Sequence, residues 1–167
     1  MNDSGNVLVV AAHADDEVLG CGGTIAKLAA LGRSIHIVLI ADGESSRLNG
    51  ISPDKTHDYV NARKAAAEKA AKILGCASIE CLGLPDNQMD TIPLLNVVKI
   101  IEERIAHYTP TTVLSHYCND VNIDHQVVHE AINVACRPTP GHCVKELIYF
   151  EVMSSTEWRA SGSLVSF

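Results

Sequence analysis

Five short runs of β-branched and aliphatic residues, spaced far enough apart to hold a helix between neighbours, dictate what this chain can fold into. Asn6 to Ala12, Ile35 to Ala41, Ser78 to Leu82, Thr111 to Ser115 and Glu146 to Val152 each read as a strand. The first run is apolar almost throughout, which marks a strand covered on both faces. Helical segments lie between the runs, from about Cys21 to Leu31, Asp58 to Leu74, Pro93 to Tyr108 and His125 to Cys136. Gly32 and Gly75 close the first two. This alternation predicts an α/β fold: a Rossmann-like, doubly wound, mostly parallel sheet of about five strands with flanking helices. A chain of 167 residues, 47% hydrophobic and 20% charged, is read as one domain over 1–167. With only 4% aromatic residues, its core is expected to consist of Val, Ile, Leu and Ala.

The first strand runs directly into His13, Asp15 and Asp16. In open α/β sheets, ligands bind at the carboxyl ends of the strands. A second polar cluster, Asp120-Val-Asn-Ile-Asp-His125, follows the fourth strand and is expected on the same edge. His13, Asp16 and His125 together form a three-donor set that suits zinc or another divalent cation and leaves a position open for water. Asp15 remains to take a proton. Taken singly, each carboxylate is as readily a helix cap or dipole partner, and His125 alone reads as a core or solvated histidine. Their pairing at two strand ends favours the metal. Gly20, Gly22 and Gly23 lack the spacing of a phosphate-binding loop and are read as allowing close helix–sheet packing.

A net charge of −7 without clustered Lys and Arg disfavours nucleic acid and anionic membranes as partners. No apolar run approaches a membrane span, and the N-terminus lacks the basic and apolar regions of a signal peptide. The six cysteines contain no Cys-x-x-Cys pair and read as reduced, mostly buried thiols of a cytoplasmic protein.

Ala12-His13-Ala14-Asp15-Asp16-Glu17 with Leu19-Gly20-Cys21-Gly22-Gly23-Thr24 resembles the signature of the PIG-L/LmbE-like zinc N-deacetylases. Asp120-x-Asn122-x-Asp124-His125 resembles that family's second motif. Pro85-Asp86-Asn87-x-Met89-Asp90, Phe150-Glu151-Val152 and Ser154-Ser155-Thr156-Glu157-Trp158 look like further segments of its bacterial branch. The resemblance implies hydrolysis of the N-acetyl group of an amino sugar or its conjugate. It assigns His13, Asp16 and His125 to zinc, Asp15 to general-base catalysis, and Arg63, Asp86 and Asp124 to the substrate. It leaves homo-oligomerisation open.

Three departures bear on this expectation. Ala14 stands where the family carries proline. Ala66 stands where many relatives carry a glutamate three residues after the arginine. Asn122 stands where some relatives place a histidine, and an amide donates a hydrogen bond but delivers no proton near neutral pH. Asp15 then serves as both base and acid, with Asn122 or His116 as the candidate oxyanion donor. The chain also ends soon after Trp158, a short C-terminus for this family. A metal-dependent phosphoesterase and an inactive metal- or sugar-binding domain are the competing readings.

Overall fold

The computed structural model describes residues 5–47, 53–153 and 155–158. Its elements are β1 (Val7–Ala11), α1 (Asp16–Ala30), β2 (Ile35–Ala41), α2 (Pro53–Leu74), β3 (Ser78–Leu84), α3 (Leu94–Tyr108), β4 (Thr112–His116), α4 (Ile123–Ala135) and β5 (Glu146–Phe150). The strands form one sheet in the order β3-β2-β1-β4-β5. Every pairing is parallel, with Val7 of β1 opposite Ile35 of β2 and Thr112 of β4. The chain thus winds outward from β1 in both directions, and β1 and β4 meet at the switch point where such sheets bind ligands.

Side chains of a strand alternate between its faces. Leu8, Val10 and Ala12 point to one side with Val38 and Ile40, packing against Val97, Val98 and Ile101 of α3 and Val128 and Ile132 of α4. Val7, Val9 and Ala11 point to the other with Ile35, Ile37 and Leu39, against Ile25 of α1 and Ala67 and Ala71 of α2. Burial on both sides is why β1 reads as a continuous apolar run. Among the described residues, no helix is long and apolar enough to cross a membrane.

The strands fall where the apolar runs are, but two helices begin earlier than expected. Helix α1 starts at Asp16 and is broken at Cys21, whose φ of −142° is non-helical. The apolar pattern announces only the second piece, because the first turn is polar and belongs to the site. Helix α2 is described from Pro53, five residues before the expected start at Asp58. Residues 48–52 lie outside the described residues. All six cysteines are free, with Cys21 buried, Cys118 exposed and the others half-buried, so fewer are fully buried than expected.

Of the three glycines after β1, only Gly20 is needed for packing. A Cβ there would lie 2.3 Å from Cδ2 of Phe150, at the end of β5, whereas nothing lies within 4 Å of a Cβ on Gly23. Gly20→Ala is therefore expected to destabilise the fold by about 1–3 kcal/mol through overpacking. Gly23→Ala, in a helix interior with open space, should add about 0.5–1 kcal/mol. Urea titrations of the two variants check both signs.

Candidate metal centre and catalytic site

The backbone turns sharply as β1 ends. The N–H of His13 donates to Oδ2 of Asp16 at 2.8 Å, which brings the two side chains together. His125, in the first turn of α4, reaches the same oxygen with Nε2 at 3.2 Å. His13 Nδ1 lies 3.4 Å from that oxygen and 3.3 Å from His125 Nε2. The three donor atoms form a nearly equilateral triangle. Donors held 2.0–2.1 Å from a tetrahedral zinc are about 3.3–3.4 Å apart, so this set fits such an ion without rearrangement.

Each imidazole is gripped from behind. His13 Nε2 lies 2.9 Å from Asp124 Oδ2 and 3.1 Å from Asp86 Oδ1. His125 Nδ1 lies 2.9 Å from Asp120 Oδ2. Such outer carboxylates fix the ring orientation and raise the basicity of the nitrogen facing an ion. Asp124 is fully buried and also accepts the N–H groups of Asn87, at 2.7 Å, and Met89, at 3.0 Å. Asp120 accepts from Ser155 at 2.8 Å and Thr156 at 2.9 Å. The C-terminal motif thus acts on the centre through Asp120; Ser154 lies outside the described residues, as does the side chain of Glu157.

The electrostatics follow from this crowding. Burial disfavours a charged His13, but hydrogen bonds to Asp124, Asp16 and Asp86 outweigh it and raise its pKa to about 11. Burial opposes charge on His125 too, yet Asp120 and Asp16 lift it to about 9. Burial would raise the Asp16 carboxyl, but hydrogen bonds from His125 and His13 hold it well below the usual carboxylate range. The pocket is built to hold positive charge.

Asp15 is the exception among the loop's acids. Its side chain remains 57% exposed while Asp16 and Glu17 are buried. Partial burial and the neighbouring Asp16 charge push its carboxyl upward, with Arg63 opposing. A raised carboxyl suits a general base working near neutral pH. Its backbone is strained, with φ 130° and ψ −29° in a non-glycine residue. The buried Glu17 carboxylate holds this geometry by accepting the Asp15 N–H at 3.0 Å, and the Asp15 carbonyl accepts from Val18 and Leu19. Asp15 makes no side-chain cap to α1, so helix capping does not account for it.

Arg63 crosses from α2 to this loop. It donates to the Ala14 carbonyl at 2.9 Å and to Glu44 at 2.6 Å, and its Nη1 lies 3.7 Å from Asp15 Oδ2. Gly43, at φ +72°, lets it pass: a Cβ there would lie 3.0 Å from Arg63 Cδ. Asp86 is buried, donates its N–H to Ser45 Oγ and accepts the Ser46 hydroxyl, so it ties the loop after β3 to the loop after β2.

Asn122 caps α4: its Oδ1 accepts from the N–H groups of Asp124, at 2.9 Å, and His125, at 3.4 Å. This leaves Nδ2, 3.3 Å from Asn87 Oδ1, as its outward donor. His116 is buried and stacked on His125 with ring centroids 3.9 Å apart. Its Nε2 accepts the Ala12 N–H at 2.8 Å, which puts the ring proton on Nδ1, and Nδ1 has no partner among the described residues. Burial drives its pKa down to about 3 despite Asp16, so the ring stays neutral.

The structure therefore brings His13, Asp16 and His125 into one donor set with Asp15 and Arg63 beside it. It buries Asp86, Asp124 and His116 against the two imidazoles, and the atoms of His13, Asp86 and Asp124 form a second cluster close enough to hold an ion. The backing role of Asp120, and those of Ser155, Thr156, Glu17 and Glu44, were not anticipated. The available signal was the pair of spare carboxylates flanking His125, since ligating imidazoles almost always lean on one.

The model of the PIG-L family, GlcNAc-PI de-N-acetylase, matches residues 8–136. The uncharacterized deacetylase YaiS of Escherichia coli K12 is 30% identical over 144 residues, 83% of this chain and 72% of the relative. The N,N'-diacetylchitobiose deacetylase structure from Pyrococcus horikoshii superposes with a TM-score of 0.70 at 25% identity, over 84% of this chain and 53% of that one. The 4-carboxy-2-hydroxymuconate hydratase of Pseudomonas putida KT2440 superposes with a TM-score of 0.65 at 29% identity, over 87% of this chain and 62% of that one. The chain thus spans between about half and three quarters of the length of these relatives. By the family-model match over residues 8–136 and by its likeness to these relatives, the chain belongs to the PIG-L family.

Proposed function

We propose that the protein is a zinc-dependent hydrolase that removes the N-acetyl group from an amino sugar or its conjugate. The triangle of His13 Nδ1, Asp16 Oδ2 and His125 Nε2 carries this reading, with edges of 3.2–3.4 Å. The deacetylases among its relatives support the reaction type.

His13, Asp16 and His125 hold the ion, with Asp124 and Asp120 steering the two imidazoles. The chemistry that zinc supplies when bound is polarisation of the amide carbonyl and acidification of water. Asp15, half-exposed and raised in pKa, accepts the proton of the attacking water as the new C–O bond forms. It then returns that proton to the amide nitrogen as the C–N bond breaks, so acetate and a free amine leave. Neither alternative acid fits as well. The Asn122 amide transfers no proton, and His116 stays neutral with Nε2 engaged by Ala12. Asn122 Nδ2 donates one hydrogen to Asn87 Oδ1, its second is available to the developing oxyanion, and Arg63 sits beside Asp15 to bind the sugar. The free thiols fit a cytoplasmic setting.

The test is acetate release by the zinc-loaded protein from a panel of N-acetylglucosamine glycosides, alongside phosphoesters and an unsaturated dicarboxylate. Acetate release that stops on chelation and returns with zinc is expected. Phosphate release, or hydration of the dicarboxylate without acetate, would replace the reading.

A further inference from the structure

A cleft of about 640 Å³ opens between α1 and α2 immediately beside Asp15 and Arg63, a volume typical of a small-molecule site. Val18 and Leu19 form one wall and Tyr59 stands on the other, with exposures of 40%, 62% and 52%. Ala62, Ala66 and Ala70, one helical turn apart on α2, make the floor. Charged groups are confined to one end, where Asp15, Glu17, Glu44 and Arg63 gather.

We propose that this cleft is the subsite for an unbranched alkyl group carried by the substrate, an inference that rests on the deacetylase reading. Three observations converge on it. The cleft shares Asp15 and Arg63 with the reacting site, so its occupant belongs to the molecule being cleaved rather than to a separate partner. Its lining offers aliphatic surface and a single aromatic ring, Tyr59, and so grips methylenes better than it stacks a second sugar ring. Ala66 stands in the middle of its floor, between Ala62 and Ala70. A carboxylate there would put a charge in the middle of the groove; the methyl group leaves the path from Asp15 outward apolar. The alkyl chain can enter as the aglycone of the sugar or as the acyl part of the amide.

The experiment uses the zinc-loaded full chain in two arms. One compares acetate release from the methyl and hexyl β-glycosides of N-acetylglucosamine. The other compares amine release from the N-acetyl and N-hexanoyl forms of the methyl glycoside. A fully buried methylene contributes about fourfold in affinity, so even a partly covered chain should raise kcat/KM at least about tenfold in one arm, through KM. The arm that responds identifies where the chain is attached. Ala66→Glu should cut the long-to-short ratio to about threefold or less. A ratio near one in both arms, or one that survives Ala66→Glu, overturns the proposal. Where no substrate turns over, the deacetylase reading fails, and equilibrium binding of hexyl against methyl β-glucoside decides the cleft separately. A tenfold tighter hexyl glucoside supports the subsite, and equal binding overturns it.

Discussion

Asp15→Asn is expected to lower kcat by about 10²–10⁴ while the protein still binds one zinc per chain. Asp15 contributes no atom to the donor triangle of His13, Asp16 and His125, so removing its charge leaves the ion's holders in place. What is lost is the half-exposed carboxylate beside them. Because it carries the proton in both halves of the proposed reaction, its loss slows both. Metal content by mass spectrometry and kcat by acetate release separate the two effects. Loss of zinc together with activity would make Asp15 a structural part of the centre, and unchanged kcat would remove it from the reaction.

The same residue makes a second, opposite prediction about stability. A non-glycine residue at φ 130° stores about 1–3 kcal/mol of strain. Alanine in its place keeps that strain and glycine releases it. Asp15→Gly should therefore melt higher than Asp15→Ala, by up to about 10 °C for a chain of this size after the entropic cost of glycine is subtracted. Both should be inactive. Coincident melting curves would mean that the surrounding hydrogen bonds, to Glu17 and from Val18 and Leu19, set this conformation without strain. Strain at the one residue asked to move protons fits a backbone held for function at the expense of stability.

The sheet and the three candidate ligands were legible in the sequence for a common reason: both are written locally. An apolar run marks a buried strand, and the polar residues that end it mark the edge where ligands bind. The first turn of α1 was not legible, because Asp16 and Glu17 serve the site and break the apolar period. The supporting carboxylates were not legible either. Asp124 grips His13 from 111 positions away, and no local pattern records which imidazole a carboxylate will meet. Asp124 consequently read as a substrate contact and His116 as a catalytic candidate, where the folded chain buries both. Asn122 illustrates the converse. The helix cap weighed for the acidic residues of the first motif is absent at Asp15 and present at Asn122.

Asp124→Asn should prove the most damaging single change in the supporting shell, and comparison with Asp120→Asn shows why. Asp124 is fully buried, and every group it meets is fixed: two backbone N–H donors and the His13 ring. An asparagine presents one carbonyl oxygen and one amide, so its NH₂ must face an N–H donor, leaving a buried mismatch that costs about 2–4 kcal/mol. The melting temperature should fall by roughly 4–16 °C. Asp120 also accepts one fixed backbone N–H, that of Asn122 at 2.8 Å on Oδ1, but its other oxygen meets the His125 ring and the Ser155 and Thr156 hydroxyls, which can rotate to accept from an amide. An asparagine that keeps its oxygen toward Asn122 therefore avoids facing a backbone N–H with its NH₂, and Asp120→Asn should lose less stability than Asp124→Asn. Zinc affinity should behave differently from stability. Each substitution weakens the grip on one ligating imidazole, and each should lower affinity about 10–100-fold in a competition titration. Equal melting temperatures for the two variants would refute the fixed-donor account of Asp124. Unchanged zinc affinity in both would mean that Asp124 and Asp120 merely fill space behind the imidazoles rather than aiming them at the ion.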